Sequence, residues 1–555
     1  MIRLIRLKSG ATKAAAPLAF EPGPLTVVVG PNNAGKSLLL RELEAWTLPG
    51  APFDGLILNG VQLRQFDEIE ASTLVEHRIN EFDNQRAPTG HVLVTVFDPV
   101  TGNSQQMQVS RGSMEAELVL AQPRDRQSTP ILRLYTIRLD GRTRLSLVDR
   151  RPAGDLKRYP TNHLVALVLD PEARKRVRAA TRDAFGLYLV LDTTEMLQLG
   201  VRLSEREPAD EEEEIGLVPR ALRFQEAARP IEHFSDGIRA FAGLLIAVQS
   251  LDYRVMLVDE PEAFLHPTLV RRLGRLLAEL SHARQGHVLA ATHSADFLAG
   301  VLQSGVSANI LRLTYRQGVP TARLLPADVL AQMIRDPALR YAGTLNALFY
   351  TNVVVTEGDS DQVLYQEINE RLDKLGPHVD DALFLNARTK QNVRRVIQPL
   401  RNLGIPAAAI VDLDIIKDAD MSDLLHAAQM PRELINTYGQ LRGEVYAKFT
   451  QFGLDPKNGG VFQLTGGARD SAMSLVSSLA EYGVFLVPVG DLEHWLSDLG
   501  IPPVRKSEWL SQILTKLGSD PTSTSYVSPS QADIWQFLRG VARWMTNPER
   551  KGLAA

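Results

Sequence analysis

The sequence predicts an α/β chain built from two successive parallel-sheet units. Three observations carry this reading. Residues 24–30 (PLTVVVG) are a short β-branched apolar run that enters a glycine-rich loop and then the helical spacing of 37–46. Residues 255–260 (VMLVDE) are a second apolar run, ending in two acids. From 352 a new pattern begins, in which an apolar strand, an acidic turn and a helix precede another strand at 407–411.

Length and charge bound the rest. The 555 residues leave room for three or four domains and a large core. Lys and Arg total 61 and Asp and Glu 65, a net charge of −4, which excludes a generally basic nucleic-acid binder but not a local basic groove. The absence of cysteine excludes disulfides, thiolate metal sites and a cysteine nucleophile, and fits a cytoplasmic protein. No apolar stretch of transmembrane length and no secretory leader is read, so a membrane partner is not expected.

Between the motifs, 91–98 and 132–149 alternate with period two, and Asp140-Gly141 inside the second reads as a hairpin turn. An antiparallel subdomain is therefore expected around 90–150. Residues 172–185 read as a basic helix, either solvated or facing DNA or a partner subunit, and the acidic run 210–214 as a solvated loop. Residues 309–325 read as a hairpin and 326–350 as a helical connection. The expected divisions are a first part of the leading unit at 1–150, an inserted segment at 151–228, the rest of that unit at 229–345 and a C-terminal domain at 350–545.

Gly30-Pro31-Asn32-Asn33-Ala34-Gly35-Lys36-Ser37 fits G-x-x-x-x-G-K-[ST] in the strand-to-helix context that the motif requires. Its glycines let backbone N–H groups face phosphates at a helix N-terminus. Lys36 is placed to reach the β- and γ-phosphates, and the Ser37 hydroxyl to ligate Mg²⁺. A carboxylate at the end of a buried strand is costly unless it serves a metal or a hydrogen bond. Asp259 is therefore assigned to the Mg²⁺ shell and Glu260 to the attacking water. Phe234-Ser235-Asp236-Gly237, just before a helix, resembles the signature loop of ABC-type ATPases, which implies that Ser235 and Gly237 bind nucleotide held by a second subunit. His293, closing the apolar run before it, resembles their switch histidine, and His266-Pro267 stands where they carry a loop that touches the opposite subunit. Gln62, Gln65 and Gln85 all remain candidates for the Q-loop glutamine. No heptad run long enough for an SMC-type arm is found.

In the C-terminal part, Glu357-Gly358 follows a strand, with Asp361 at the start of a helix. Asp412 and Asp414 follow the strand at 407–411, and Asp491 and Glu493 follow 484–489. Acids gathered at the carboxyl ends of parallel strands repel unless cations neutralise them. Oxygen ligands of this kind suit Mg²⁺ or Mn²⁺, with Ca²⁺ as an alternative, and two such ions can cleave a phosphodiester. Strand-Glu-Gly followed by strand-Asp-x-Asp resembles the Toprim domain of topoisomerases, primases and some nucleases.

Together, an ABC-type head followed by a Toprim domain resembles the OLD (overcoming lysogenisation defect) family of ATP-dependent endonucleases, which includes the nuclease subunit of the Gabija phage-defence system. The resemblance covers about 1–340 and 350–545 and departs in a short insertion and in Ser-Asp-Gly for Ser-Gly-Gly. It implies ATP and divalent metal as cofactors, DNA as substrate, homodimerisation through the head and its helical insertion, and a possible helicase-like or other defence partner. It also implies that Glu357, Asp412 and Glu493 act in catalysis with a downstream lysine. Lys506, Lys516 and Lys551 are candidates, of which Lys516 is preferred as a helix residue. The alternative reading is a non-nucleolytic SMC-like ATPase that acts as a DNA clamp or sensor. A transporter subunit would leave the C-terminal acids unexplained.

Overall fold

The computed structural model describes residues 1–48, 54–79, 87–98, 104–120, 130–157, 159–373, 375–418, 421–502 and 504–553. The chain divides into two compact units, 1–327 and 328–555, so most of the helical connection expected at 326–350 belongs to the second.

The first unit is organised by a six-stranded sheet in the order Val319–Leu325, Asn309–Arg316, Leu25–Val29, His287–Ala291, Val255–Asp259 and Thr136–Leu139. The last four pair in parallel, and Asn309–Arg316 also runs parallel to Leu25–Val29. Leu25–Val29 is buried along its whole length, as its unbroken β-branched run requires of a central parallel strand. Parallel strands place their carboxyl ends on one edge, which is where residues 30–37, 259–260 and 292–293 follow. Ile2–Leu7, Ala19–Phe20 and Leu58–Leu63 form a separate antiparallel sheet.

Two excursions leave the main sheet. In the first, the hairpin His91–Phe97 and Ser104–Ser110 joins the helices Glu68–Glu76 and Arg111–Leu120 around a core that includes Val75, Val94, Leu118 and Tyr135. The expected second hairpin at 132–149 does not form. Thr136–Leu139 is a strand of the main sheet, and Asp140 caps the helix Gly141–Ser146 through a reciprocal side-chain and backbone pair with Thr143. Aspartate suits both a turn and an N-cap, and the pairing of Thr136–Leu139 with Val255–Asp259 in the main sheet settles the choice.

The second excursion is not purely helical. Tyr188–Asp192 and Gln198–Ser204 pair antiparallel beside the helix Pro171–Phe185. The acidic run is a short helix, Glu211–Ile215, and not a solvated loop. Arg174 and Arg178, buried on the basic helix, reach Glu211 and Glu214. Two charge runs that each read as surface therefore satisfy one another, since a buried guanidinium needs a carboxylate partner.

In the second unit, four parallel strands lie in the order Ala382–Asn386, Asn352–Thr356, Ala407–Val411 and Val484–Leu486. The helices Asp359–Leu372, Lys506–Leu517 and Asp533–Thr546 share a core that includes Tyr365, Ile513, Trp535 and Leu538. Arg401 is fully buried and donates to the carbonyls of Ala407, Ala428, Tyr482, Gly483 and Gly552 at 2.8–3.1 Å. An apolar replacement strands these acceptors. Arg401→Leu is expected to cost at least about 3 kcal/mol, read as a lower denaturant midpoint at unchanged slope.

Candidate ATP and metal sites

The loop after Leu25–Val29 takes the backbone its glycines permit. Gly30 (φ 144°) lies so close to the next strand that a Cβ would sit 2.0 Å from the Leu313 carbonyl oxygen. Asn33 and Gly35 are also left-handed, and Gly35 opens the helix Lys36–Trp46. Lys36 is only 4% exposed, and its Nζ donates to the carbonyls of Gly30 and Pro31, both at 2.7 Å. Asn32 is exposed at the loop's turn and Ala34 is buried beneath it.

The acid strand meets this loop from the same sheet edge. The Ser37 hydroxyl donates to Asp259 Oδ1 at 2.8 Å, joining two groups 222 residues apart. Burial raises the Asp259 carboxyl, with Ser37 opposing and the Glu260 charge adding to the rise. Glu260 takes a left-handed backbone (φ 47°), and its N–H donates to the Ala291 carbonyl at 2.8 Å. His293 Nε2 lies 3.8 Å from Glu260 Oε1. Burial and the nearby Lys36 charge hold the His293 imidazole below its usual range.

Two residues not singled out from the sequence fix this edge. The Glu262 carboxylate accepts the His293 N–H at 2.6 Å, and burial raises its pKa. The fully buried Arg144 donates to the carbonyls of Glu260 and Pro261 at 2.8 and 2.9 Å. Gly243 leaves space for it, since a Cβ there would lie 2.0 Å from the Arg144 carbonyl oxygen. Glu262 stands three residues beyond Asp259 and could have been suspected; Arg144 had no local signal.

Ser235 is exposed at the N-cap position of the helix Asp236–Ser250, without a side-chain capping hydrogen bond, and Gly237 lies in the first turn against the Phe264 carbonyl. His266 is likewise exposed and caps Pro267–Ala283. Gln62 lies within the strand Leu58–Leu63, Gln65 is exposed just beyond it, and Gln85 falls outside the described residues.

In the second unit, Glu357 and Asp412 follow neighbouring parallel strands. Glu357 Oε1 accepts the Asp412 N–H at 2.9 Å. Asp361, in the first turn of the helix after Gly358, accepts the Gly358 N–H at 3.1 Å. Lys506 Nζ lies 3.0 Å from Asp361 Oδ1 and 4.0 Å from Asp412 Oδ2. The lysine of this pocket is therefore Lys506 and not the preferred Lys516, which lies ten residues along the same helix Lys506–Leu517 and donates its ammonium to the Leu499 carbonyl. Lys551 pairs with Glu481 at 2.6 Å. Helical propensity favoured Lys516 but says nothing about which turn faces the sheet edge.

The electrostatics are those of crowded acids. Burial raises Glu357; its hydrogen bond from Asp412 opposes this, and the charges of Asp414 and Asp361 add to it. Burial and the Glu357 charge raise Asp412, with Lys506 opposing. Burial lowers Lys506, but Asp412 and Asp361 outweigh it and leave the ammonium more firmly protonated. Glu493 is raised by burial and then by Asp491. Asp491 Oδ1 lies 2.5 Å from His494 Nδ1, and Asp414 lies 3.4 Å from Lys390 Nζ.

The expected cage of acids is not assembled as such. Among the described residues no three His, Asp or Glu side chains gather closely enough to hold a metal ion as they stand. Lys506 and Lys390 supply countercharge instead, and the Asp412 N–H a hydrogen bond to Glu357. The donor set nevertheless fits a hard divalent cation. Every acid offers carboxylate oxygen, and Asp414 Oδ1 and Glu493 Oε2 are buried without a hydrogen-bond partner. A pH dependence follows. Carboxyls raised in the folded protein favour it below their unfolded pKa, so the metal-free protein loses this stability as pH rises through their folded values. The rise in melting temperature on adding Mn²⁺ is then expected to be larger at about pH 8 than at about pH 6. An equal shift at both would count against the pocket.

Family models match both units. Residues 169–299 match "AAA domain, putative AbiEii toxin, Type IV TA system", and residues 348–414 match "Overcoming lysogenization defect protein-like, TOPRIM domain". No curated protein matches the chain. Similar solved structures include an SMC head bound to the C-winged helix domain of ScpA, at 13% identity and TM-score 0.35, covering 60% of this chain and 99% of that one. The SMC head domain from Thermotoga maritima shows 12% identity and TM-score 0.28, covering 59% and 99%. A Pyrococcus furiosus SMC head with an extended coiled coil, bound to the C-terminal domain of ScpA, shows 11% identity and TM-score 0.32, covering 60% and 98%. With an AAA ATPase domain followed by an OLD-like Toprim domain, the chain has the make-up of an OLD-family ATPase–Toprim nuclease.

Proposed function

We propose that the protein is an ATP-dependent, divalent-metal-dependent DNA endonuclease that works as a homodimer. In the head, Lys36 and the loop N–H groups bind nucleotide phosphates, Ser37 and Asp259 would hold Mg²⁺, and Glu260 orients water with His293 beside it. Ser235 and Gly237 are assigned to the nucleotide of the partner subunit. In the Toprim unit, Glu357, Asp361, Asp412, Asp414, Asp491 and Glu493 would hold one or two cations, which when bound supply an activated water and charge neutralisation. Lys506 holds Asp361 and Asp412 in place and offers an ammonium to a phosphate oxygen. ATP binding gates cutting, and the basic side chains of the chain hold the DNA backbone without reading sequence. The phage-defence setting comes from the family resemblance alone.

The observation that carries this reading is the Glu357–Asp412 contact beside Lys506, which joins acids 55 residues apart at the carboxyl ends of adjacent strands. Conversion of supercoiled plasmid to the open-circular form with ATP and Mg²⁺ or Mn²⁺ tests it. The scattered arrangement of the acids favours one competing reading, an ATPase that binds DNA without cutting. ATP hydrolysis with no nicking under any divalent metal would select that reading.

Among the described residues no helix is long and apolar enough to cross a membrane.

A further inference from the structure

The segment 457–463 packs directly behind the last acidic element of the Toprim site. Gly490 approaches it so closely that a Cβ would lie 2.2 Å from the Lys457 carbonyl oxygen, and one at Gly460 would lie 2.0 Å from that of Pro488. The Val461 N–H donates to the Pro488 carbonyl at 2.9 Å, and the Val461 side chain is buried. This short turn is thus fixed to the strand end that carries Asp491 and Glu493.

On this fixed turn an aromatic ring faces solvent. Phe462 is 49% exposed, and the Arg469 guanidinium lies 5.0 Å from its ring centroid. Arg469 is itself exposed. Beside them Gly466 and Gly467 leave open space, with no atom within 4 Å of where a Cβ would stand. A charged partner stacked on this half-exposed ring suits a planar, polyanionic ligand better than an apolar protein surface. Nucleobases stack on such rings and on guanidinium planes, and their phosphates are attracted by the same arginine and by Lys457.

We propose that Phe462 and Arg469 form a stacking platform for an unpaired nucleobase, which biases the neighbouring metal site toward single-stranded or distorted DNA. A base inside a paired duplex presents no free face to the ring, so the platform discriminates by strand state and not by sequence. The proposal deepens the nuclease reading and rests on it for its purpose, but the binding site can be measured without cleavage.

The test is fluorescence anisotropy with a short labelled single strand and the matching duplex, in EDTA, using the full chain. Wild type is expected to prefer the single strand. Phe462→Ala is expected to weaken single-strand binding about tenfold and to leave duplex binding unchanged, Arg469→Ala to weaken single-strand binding more than duplex binding, and Phe462→Trp to retain both. Single-strand affinity in Phe462→Ala equal to wild type would overturn the proposal. So would an equal loss on single strand and duplex, which marks general electrostatics. Because EDTA removes metal, the outcome is independent of whether the protein cuts: unchanged single-strand affinity in Phe462→Ala with normal wild-type plasmid nicking refutes only the platform, and the expected loss in Phe462→Ala with no wild-type nicking refutes only the nuclease.

Discussion

Asp412→Asn and Glu357→Gln are each expected to reduce metal-dependent plasmid nicking by at least about a hundredfold while leaving ATP hydrolysis intact. The magnitude follows from position. Outer-shell partners of metal ligands already cost 10–100-fold in affinity or activity when removed, and these two carboxyls stand inside the pocket. Asp412 is only 5% exposed, and its backbone N–H is the donor to Glu357. The amide variants keep shape and hydrogen-bonding capacity, so they separate loss of charge from loss of fold. The metal-free amide variants should melt no lower than wild type, because the buried pair is held in the protonated direction by its surroundings. Lys506→Met behaves in the opposite way. It leaves Asp361 and Asp412 without their ammonium, so it is expected to weaken both cutting and the metal-free fold. Lys516→Met, whose parent ammonium donates to the backbone carbonyls of Leu499 and Gly500, should change cutting little.

The second large effect lies in the head. Lys36→Ala is expected to abolish detectable nucleotide binding, because the buried ammonium is the charge folded into the phosphate loop. Glu260→Gln should keep binding and lower hydrolysis about 10²–10⁴-fold, the usual contribution of a positioned proton acceptor. Nucleotide binding by a fluorescent ATP analogue and phosphate release separate the two variants. Glu260→Gln hydrolysing at the wild-type rate would move the water-orienting role elsewhere, with Glu262 next to be tested because its carboxylate holds the His293 backbone.

The parts legible in the sequence are those in which backbone and chemistry coincide. The loop at 30–37 needs glycine for its left-handed turns and lysine for its charge, so one short stretch specifies both fold and ligand. The acids at 357 and 412 were legible because each follows an unbroken apolar strand, and parallel pairing then brings strand ends together. Contacts made by long side chains across sequence were not legible. Lys506 and Lys516 lie on one helix and differ only in which turn meets the sheet, and that is decided by packing around Trp509 and Ile513. Asp140-Gly141 carried equal local signals for a turn and a cap, and the pairing of Thr136–Leu139 with Val255–Asp259 decided between them. The acidic run at 210–214 read as solvated because its partners, Arg174 and Arg178, lie over thirty residues away.

The central claim is that the acids of the second unit hold divalent metal in one pocket. Anomalous diffraction from crystals soaked in Mn²⁺ tests it most directly. The account predicts at least one manganese peak coordinated by the carboxylates of Glu357 and Asp412, with Lys506 displaced from or retained beside them. A fully occupied manganese site elsewhere in the unit, with Glu357 and Asp412 still joined by their own hydrogen bond and Lys506 still on Asp361 and Asp412, would contradict it.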